Sequence, residues 1–212
     1  QDGPALPLLR SLMPEEVLGA SFRVYIGVKG DKIIKKYQHR IPRKSEGYFL
    51  KIEKDCIVIA GADERGAYYG VQTLAQLLAL DKLPLAEVTD YPDVPYRGVV
   101  EGFYGAPWSQ EACIRQLDFY GRNKMNVYIY GPKDDPYHRT PNWRKPYPAQ
   151  EGEQLKVLVN RAKENNVIFY WAIHPGQDIR WNEEDRSLLL QKFESMYQLG
   201  VRGFAVFFDD IS

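Results

Sequence analysis

The sequence predicts an α/β protein: an N-terminal small α+β domain followed by the first half, about four βα units, of a (β/α)8 TIM barrel. Two observations support this prediction. Before about residue 95, short strands precede one amphipathic helix, whereas from residue 96 onward four strands alternate with helices. Strands that are apolar on both faces and alternate with amphipathic helices are typical of parallel βαβ units. A doubly wound open sheet is the alternative fold for this second part.

Residues 22–95 are predicted to form the α+β domain, while residues 1–21 receive no assignment. Three strands are expected, followed by a helix with Asp63 as its N-cap. The strands are "FRVYIGV", "GYFLKIE" and "CIVIAG", and the helix lies within "DERGAYYGVQTLAQLLAL". The proline-bearing segment "TDYPDVPYRG", residues 89–98, is typical of a linker between domains.

Residues 96–212 are predicted to form the N-terminal half of the barrel. The four expected strands are "RGVVEGFYG", "NVYIYGP", "VIFYWAIHPG" and "RGFAVFF". The first helix is expected to begin after Ser109, and the third helix to end at Gly200. The buried side of the first helix is expected to carry Ile114, Leu117, Phe119 and Tyr120. A complete barrel takes about 250 residues, so we expect this barrel to be cut in its middle.

Charge and composition limit the classes of function that we expect for this chain. The chain has 212 residues with 28 basic and 28 acidic side chains, so its charge gives no reason to expect binding to nucleic acid or to an anionic membrane. No stretch approaches the roughly 20 apolar residues of a membrane-spanning helix. Cys56 and Cys113 are expected to be buried free thiols. The three histidines lack metal-ligand spacing, and neither a metal nor a cofactor is expected.

Polar residues follow each of the four predicted barrel strands. Because the catalytic residues of such barrels come from the carboxyl ends of the strands, these positions are the candidates for a functional site. They are Glu101–Gly105, Gly131–Asp135, His174–Asp178 and Asp209–Asp210. The strands before them are strongly apolar, and this asymmetry favours a site at that edge of the sheet.

Asp209 and Asp210 are the leading catalytic candidates. Successive side chains along a strand point to opposite faces, so one carboxylate is expected to enter the barrel mouth while its neighbour leans over it. A partly buried pair tends to leave one carboxyl group ionised and one protonated, as glycoside hydrolysis requires. The alternative is that one of them caps the next helix. The pair Asp134–Asp135 is a weaker candidate, since it precedes Pro136 and such pairs usually open turns.

Four further strand-end residues each have a binding and a structural interpretation. Lys133 is expected to donate to a sugar hydroxyl, unless it is an ordinary surface charge. Gly102 is expected to offer its backbone carbonyl to a ligand, unless it only shapes a turn. Tyr104 is expected to form a wall against a sugar ring, unless it serves loop packing. His174 fits a structural hydrogen-bonding role better than a catalytic one.

Four segments around these positions resemble glycoside hydrolase family 84, the family of O-GlcNAcases and β-N-acetylhexosaminidases. The segments are "YRGVVEGFYGAPWS", "NVYIYGPKDDPYHR", "WAIHPGQDIRW" and "FAVFFDDIS". The likeness is nearest to bacterial, Bacteroides-like O-GlcNAcases. The segment "DERGAYYGVQTLAQLL" resembles the helix of the non-catalytic domain that precedes the barrel in this family and in related hexosaminidases. The resemblance runs from about residue 22 to the last residue.

The resemblance implies a retaining β-N-acetylglucosaminidase that removes terminal β-linked GlcNAc, including GlcNAc on Ser or Thr of proteins. In this family the acetamide oxygen of the substrate attacks the anomeric carbon and forms an oxazoline intermediate. The resemblance assigns Asp209 to orienting the acetamide and Asp210 to acting first as acid and then as base. It assigns Gly102 and Lys133 to the sugar hydroxyls, and it implies no cofactor and no metal.

The resemblance also implies partners and a location. The expected partners are β-GlcNAc-bearing glycans or glycoproteins and the remainder of the catalytic barrel, whose later strands carry further sugar contacts in this family. Its secreted bacterial members imply a periplasmic or secreted protein. Two alternatives stay open: a family 84 hyaluronidase, which cuts inside its polymer, and an inactive sugar-binding fragment.

Overall fold

The structure, a computed structural model, describes residues 3–13 and 20–209. The chain divides into two compact units, Gln1–Pro95 and Tyr96–Ser212, which we call the N-terminal and C-terminal units. The boundary follows the second proline of the proline-bearing segment. Each unit contains a four-stranded sheet of its own.

The N-terminal unit is built on a mixed sheet. Its elements are α1 Ala5–Leu12, β1 Arg23–Val28, a 3-10 helix Lys32–Arg40, β2 Tyr48–Ile52, β3 Cys56–Gly61, α2 Glu64–Leu78 and β4 Ala86–Asp90. The strands lie in the order β1-β3-β2-β4. β1 pairs with β3 in parallel, whereas β2 pairs with both β3 and β4 antiparallel.

Both faces of this sheet are covered, because successive residues of β2 and β3 point to opposite faces. On one face, Leu50 and Ile59 belong to a cluster with Leu74 of α2. On the other face, Phe49 belongs to a cluster with Ile34 of the 3-10 helix. All five side chains are fully buried, so burial of apolar surface stabilises this unit on both sides.

The C-terminal unit is built on a parallel sheet. Its elements are β5 Gly98–Glu101, α3 Gln110–Arg122, β6 Val127–Tyr130, α4 Ala149–Glu164, β7 Ile168–Ile173, α5 Glu183–Gln198 and β8 Gly203–Val206. The strands lie in chain order, β5-β6-β7-β8, and every neighbouring pair is parallel. One helix connects each strand to the next. The predicted fold class is therefore confirmed: a small mixed α/β domain followed by a parallel sheet consistent with part of a barrel.

The core of the C-terminal unit forms between this sheet and its helices. Leu117 of α3, Ala162 of α4 and Met196 of α5 lie in one cluster with Tyr128 of β6 and Trp171 of β7. None of these side chains is more than 1% exposed. Because each helix buries an apolar stripe against the sheet, the loops after the strands are held on a rigid support.

Predictions that depend on local chemistry are confirmed. The Asp63 side chain caps α2 by accepting a hydrogen bond from the backbone N–H of Gly66 at 2.8 Å. Ser109 caps α3 in the same way, accepting from Ala112 at 3.2 Å. Gly200 follows the end of α5 with a φ of +105°, a backbone conformation that favours glycine.

Other expectations need correction. The sequence does not predict α1, the 3-10 helix or β4, and because β4 extends to Asp90, the linker begins later than residue 89. Phe119, expected on the buried side of α3, is 49% exposed. Leu117 and Tyr120 are buried as predicted, together with Cys113, and their spacings of four and three residues place all three on one face.

The cysteines are free thiols, as predicted, but they differ in burial. Cys113 is buried in the core of the C-terminal unit, whereas Cys56, at the start of β3, is only partly buried. Burial raises the pKa of the Cys113 thiol to about 11, so this group is an uncharged core residue at neutral pH. Across the part of the chain that the structure describes, no helix is long and apolar enough to cross a membrane.

Candidate active site

The carboxyl ends of β5 to β8 lie along one edge of the parallel sheet, and backbone hydrogen bonds continue between the loops that follow them. The N–H of Lys133 donates to the carbonyl of Phe103 at 3.1 Å. The N–H of His174 donates to the carbonyl of His138 at 2.7 Å. These bonds fix the loops relative to one another, so their side chains form a defined edge, which we call the rim.

Lys133, His174 and Asp209 meet at this rim. The ammonium group of Lys133 donates a hydrogen bond to Oδ2 of Asp209. His174 Nε2 lies 3.2 Å from Oδ1 of the same carboxylate and 2.7 Å from the Asp209 carbonyl oxygen. Lys133 and His174 are buried, while the Asp209 side chain is 51% exposed. The carboxylate is therefore held from the protein side and open on the solvent side.

The hydrogen bond from Lys133 holds the pKa of Asp209 below its usual range, against the opposing effect of partial burial. Because the donor is a cation, it stabilises the ionised carboxylate. Asp209 is thus an anionic hydrogen-bond acceptor at neutral pH. Such a group can orient an N–H donor of a ligand.

The burial of Lys133 decides whether this lysine is an ordinary surface charge. Only 8% of the residue is exposed, so it is not an ordinary surface charge. Its carbonyl accepts a hydrogen bond from Arg139 at 3.0 Å, which fixes the loop on both sides of the side chain. Its ammonium nitrogen lies 5.8 Å from the ring centre of Tyr104, within the range of a cation–π contact.

The remaining predicted site residues lie in or beyond this region. Tyr104 is 65% exposed and lies beside Lys133. Gly102 lies in the same loop and is partly buried. Asp210 lies outside the described residues, so its role stays a prediction based on its position next to Asp209.

Asp135, the weaker catalytic candidate, is fully engaged in holding its own loop. Oδ2 accepts hydrogen bonds from the hydroxyls of Tyr130 and Tyr147, each at 2.8 Å, and Oδ1 accepts from the N–H of Tyr137 at 2.7 Å. Burial raises the pKa of both tyrosines well above the usual value, so their hydroxyls remain donors. The bond to Tyr137 is that of an Asx turn. This geometry favours the turn interpretation of Asp135.

Glu101, at the end of β5, also has a structural role. It is fully buried. One carboxylate oxygen accepts from the N–H of Trp108 at 3.0 Å, and the other accepts from the hydroxyl of Tyr128. Tyr128 belongs to the core cluster. Glu101 therefore joins the rim loop to the core.

Arg144 is a rim residue that sequence analysis missed. Its guanidinium binds the carboxylate of Asp185 through two hydrogen bonds of 2.7 and 2.6 Å. It also donates to the carboxylate and the backbone carbonyl of Asp178, at 2.8 and 2.7 Å. Trp143 donates to the other Asp178 oxygen at 2.7 Å. This network joins the loop after β6 to the loop after β7 and to the start of α5.

Sequence analysis also did not predict that two buried histidines, His138 and His174, lie next to each other. His138 Nε2 lies 2.7 Å from the carbonyl oxygen of Pro132, and the His138 carbonyl accepts from the His174 backbone. Burial lowers the pKa of His138, which keeps its ring neutral. The two residues are 36 positions apart, and no sequence spacing indicates their contact. Within the described ranges, the one grouping of three potential metal ligands is Glu53, Asp55 and Cys56, away from this rim in sequence and in the other unit.

Comparisons with known families match both units. Residues 97–212 match the family model described as beta-N-acetylglucosaminidase. Residues 25–91 match domain 2 of glycosyl hydrolase family 20. The Protein O-GlcNAcase of Rattus norvegicus is 44% identical over 115 residues, which are 54% of this chain and 12% of that protein. A Beta-hexosaminidase of Vibrio vulnificus is 36% identical over 95 residues, 44% of this chain and 11% of that protein.

Solved structures match the whole chain. The structure of CpGH84B is 40% identical, superposes with a TM-score of 0.91, and covers 100% of this chain. The matched region is 39% of the CpGH84B chain. The chain therefore spans about one eighth of the O-GlcNAcase sequence and well under half of the CpGH84B structure.

Proposed function

The chain belongs to the β-N-acetylglucosaminidase family, as its sequence motifs indicate, and from this premise we propose that the protein is a retaining hydrolase of terminal β-linked GlcNAc, including GlcNAc on Ser or Thr of proteins. The observation that carries the proposal is the half-exposed Asp209 carboxylate. It lies at the carboxyl edge of the parallel sheet, held by two buried side chains, and Asp210 follows it in the sequence. Similarity to an O-GlcNAcase supports the choice of substrate.

The proposed reaction begins inside the substrate. The acetamide oxygen attacks the anomeric carbon, the glycosidic bond breaks, and Asp210 gives its proton to the departing oxygen. The product of this step is a bicyclic oxazoline in its protonated, oxazolinium form, whose N–H proton stays hydrogen-bonded to Asp209. Water then attacks the anomeric carbon and loses a proton to Asp210, which regenerates the acetamide with retained configuration. An intramolecular nucleophile has a high effective molarity when it is held in attack geometry, so no protein nucleophile is needed.

Asp209 supplies that geometry in this proposal. Its ionised carboxylate accepts a hydrogen bond from the acetamide N–H and turns the acetamide oxygen toward the anomeric carbon. The Lys133 hydrogen bond supports this role because it favours the ionised form of Asp209. An ionised Asp209 also favours the protonated form of the neighbouring Asp210, which the acid role requires.

Three further residues contact the sugar in this proposal. Lys133 has three donors, and one of them binds Asp209, so the others remain for sugar hydroxyls. Gly102 offers its backbone carbonyl to a hydroxyl. The exposed ring of Tyr104, next to Lys133, forms a wall against the sugar face. None of these steps uses a metal or an organic cofactor.

The proposal is tested with the variant Asp210→Asn in the full-length protein. We expect its rate to fall about 100-fold or more on a GlcNAc glycoside with a poor leaving group, since general acids contribute about 10²- to 10⁴-fold. On the 4-nitrophenyl glycoside, whose leaving group needs little protonation, the first step should be much less affected. Glu183→Gln, at an exposed carboxylate at the start of α5, is the control. An Asp210→Asn protein that retains full rate on the poor leaving group would refute the assignment.

A further inference from the structure

We propose that His174 is a positioning residue for Asp209, an inference that rests on the function proposed above. The His174 side chain is fully buried. Its Nε2 lies 2.7 Å from the Asp209 carbonyl oxygen and 3.2 Å from the carboxylate oxygen Oδ1. Both of these atoms are acceptors, so Nε2 carries a proton and donates to them. One imidazole thereby contacts both the backbone and the carboxylate of the residue that orients the acetamide.

The other ring nitrogen supports the same protonation state. Nδ1 of His174 is buried and has no hydrogen-bond partner among residues 3–13 and 20–209. A proton on Nδ1 would be a buried donor without an acceptor, which is unfavourable. The geometry therefore places a proton on Nε2, directed at Asp209.

Asp209 needs such support because it lies beyond the end of β8. The N–H of Phe207 still donates to the carbonyl of Ile173, at 2.7 Å, and so extends the sheet by one bond. Two residues later Asp209 lies in a turn, with half of its side chain exposed. His174 directly follows β7, and its own N–H is fixed by the His138 carbonyl. The ring thus transmits the rigidity of the sheet to a residue just outside it.

A role in packing is the alternative explanation for a fully buried histidine. The two explanations predict different results. If the ring only fills space, its replacement lowers the stability of the fold but not the rate per folded molecule. If it positions Asp209, its replacement lowers kcat through Asp209, and a side chain with a donor at the same place restores the rate.

Two substitutions separate a donor at Nε2 from one at Nδ1. The amide nitrogen of glutamine reaches about as far as histidine Nε2, whereas that of asparagine lies near Nδ1. In the full-length protein we expect His174→Gln to keep kcat within about 5-fold, and His174→Asn to lower kcat by about 10- to 100-fold, since small misplacement of a reacting group has effects of this size. KM should change less than kcat. Equal losses in kcat for both variants would overturn the inference.

A double-mutant cycle then tests whether the effect passes through Asp209. We expect His174→Asn to cost less than about 2-fold when Asp209→Ala is already present, because the group that it positions is gone. Fully additive losses would overturn the positioning role and leave the proposed function intact. If Asp209→Ala itself retains full activity, the proposed function fails, whatever His174 does.

A measurement on the unmodified protein covers the case in which His174→Asn does not fold. Nitrogen-15 NMR of histidine-labelled protein distinguishes the two neutral tautomers and the cation, and His174→Gln identifies the signal. We expect a proton on Nε2. A ring that carries its only proton on Nδ1 would contradict the inference.

Discussion

The two units place their polar groups differently. Of the eleven buried polar or charged residues among those described, two lie in the N-terminal unit and nine in the C-terminal unit. Burying a polar group is unfavourable unless hydrogen bonds replace its contacts with water. The N-terminal unit largely avoids this cost and is held by apolar clusters on both faces of its sheet. The C-terminal unit buries polar groups at nine positions, in spite of this unfavourable contribution.

The location of those buried groups explains the difference. Most follow the strands of the parallel sheet or support the loops that do: Glu101, Lys133, Asp135, His138, His174 and Asp185. Buried side chains that hydrogen-bond to one another and to the backbone hold the loops in one geometry. The N-terminal unit is therefore stabilised mainly by apolar contacts, whereas the C-terminal unit concentrates buried polar groups at its rim, where the proposed function places the sugar.

The largest expected effect on stability concerns Arg144. In Arg144→Met, Asp185 stays 99% buried but loses its cation, so we expect the free energy of unfolding to fall by about 3 kcal/mol or more. Urea unfolding measures this loss. Arg161→Met is the matched control, because Arg161 binds Asp118 in a more exposed pair, with 41% and 24% of the side chains exposed. Equal losses in both variants would contradict the importance given to buried rim charges.

The same pair has a defined pH dependence. The hydrogen bonds from Arg144 hold the pKa of Asp185 at about 2, below the roughly 3.9 of an unfolded aspartate. A lowered pKa in the folded state stabilises the fold above the unfolded pKa, and this contribution is lost as pH falls toward about 2. The difference in stability between wild type and Arg144→Met should therefore shrink below about pH 4.

A smaller effect, on activity, is expected for Lys133→Met. Removing the ammonium group removes the main cause of the lowered pKa of Asp209. The carboxylate should then become protonated at a higher pH, so the acidic limb of the kcat profile should move to higher pH. At the optimum we expect about a 10- to 100-fold loss, because in the proposed site Lys133 both contacts the sugar and holds Asp209.

A pH–rate series on Lys133→Met and wild type measures this shift. Lys145→Met is the matched control, since Lys145 is an exposed lysine in the same loop. Its profile should superpose on that of wild type. An acidic limb that stays in place in Lys133→Met would show that Lys133 does not set the ionisation of Asp209.

Local chemistry made much of the fold predictable from sequence. A capping side chain such as Asp63 or Ser109, and a glycine such as Gly200, act within one turn of chain, so the sequence carries the necessary information. β4 was missed because it is short and stabilised by pairing with β2, which lies more than 30 residues earlier. The position of Phe119 was wrong because neighbouring residues of a helix point in different directions, and the buried face of α3 is the one that carries Cys113, Leu117 and Tyr120.

The candidate site was predictable in outline but not in its contacts. The rule that sites form at the carboxyl ends of barrel strands placed Lys133 and Asp209 on one edge, 76 residues apart. The rule gives no partner for either side chain. The contact of Asp209 with His174, and that of Arg144 with Asp185, depend on how loops from neighbouring strands pack. No periodicity or spacing in the sequence encodes such contacts.

The smallest expected effect lies in the N-terminal unit. Arg40 and Glu87 form an ion pair there with side chains 41% and 42% exposed. Exposed pairs contribute little, because solvent and salt screen them and two long side chains lose freedom. In Glu87→Gln, which leaves Arg40 over the ring of Phe49, we expect no measurable change in kcat and an unfolding transition nearly superposable on that of wild type, also when salt is raised. A clear loss of kcat would mean that this unit takes part in the reaction, and the division between a stabilising unit and a ligand-binding rim would no longer hold.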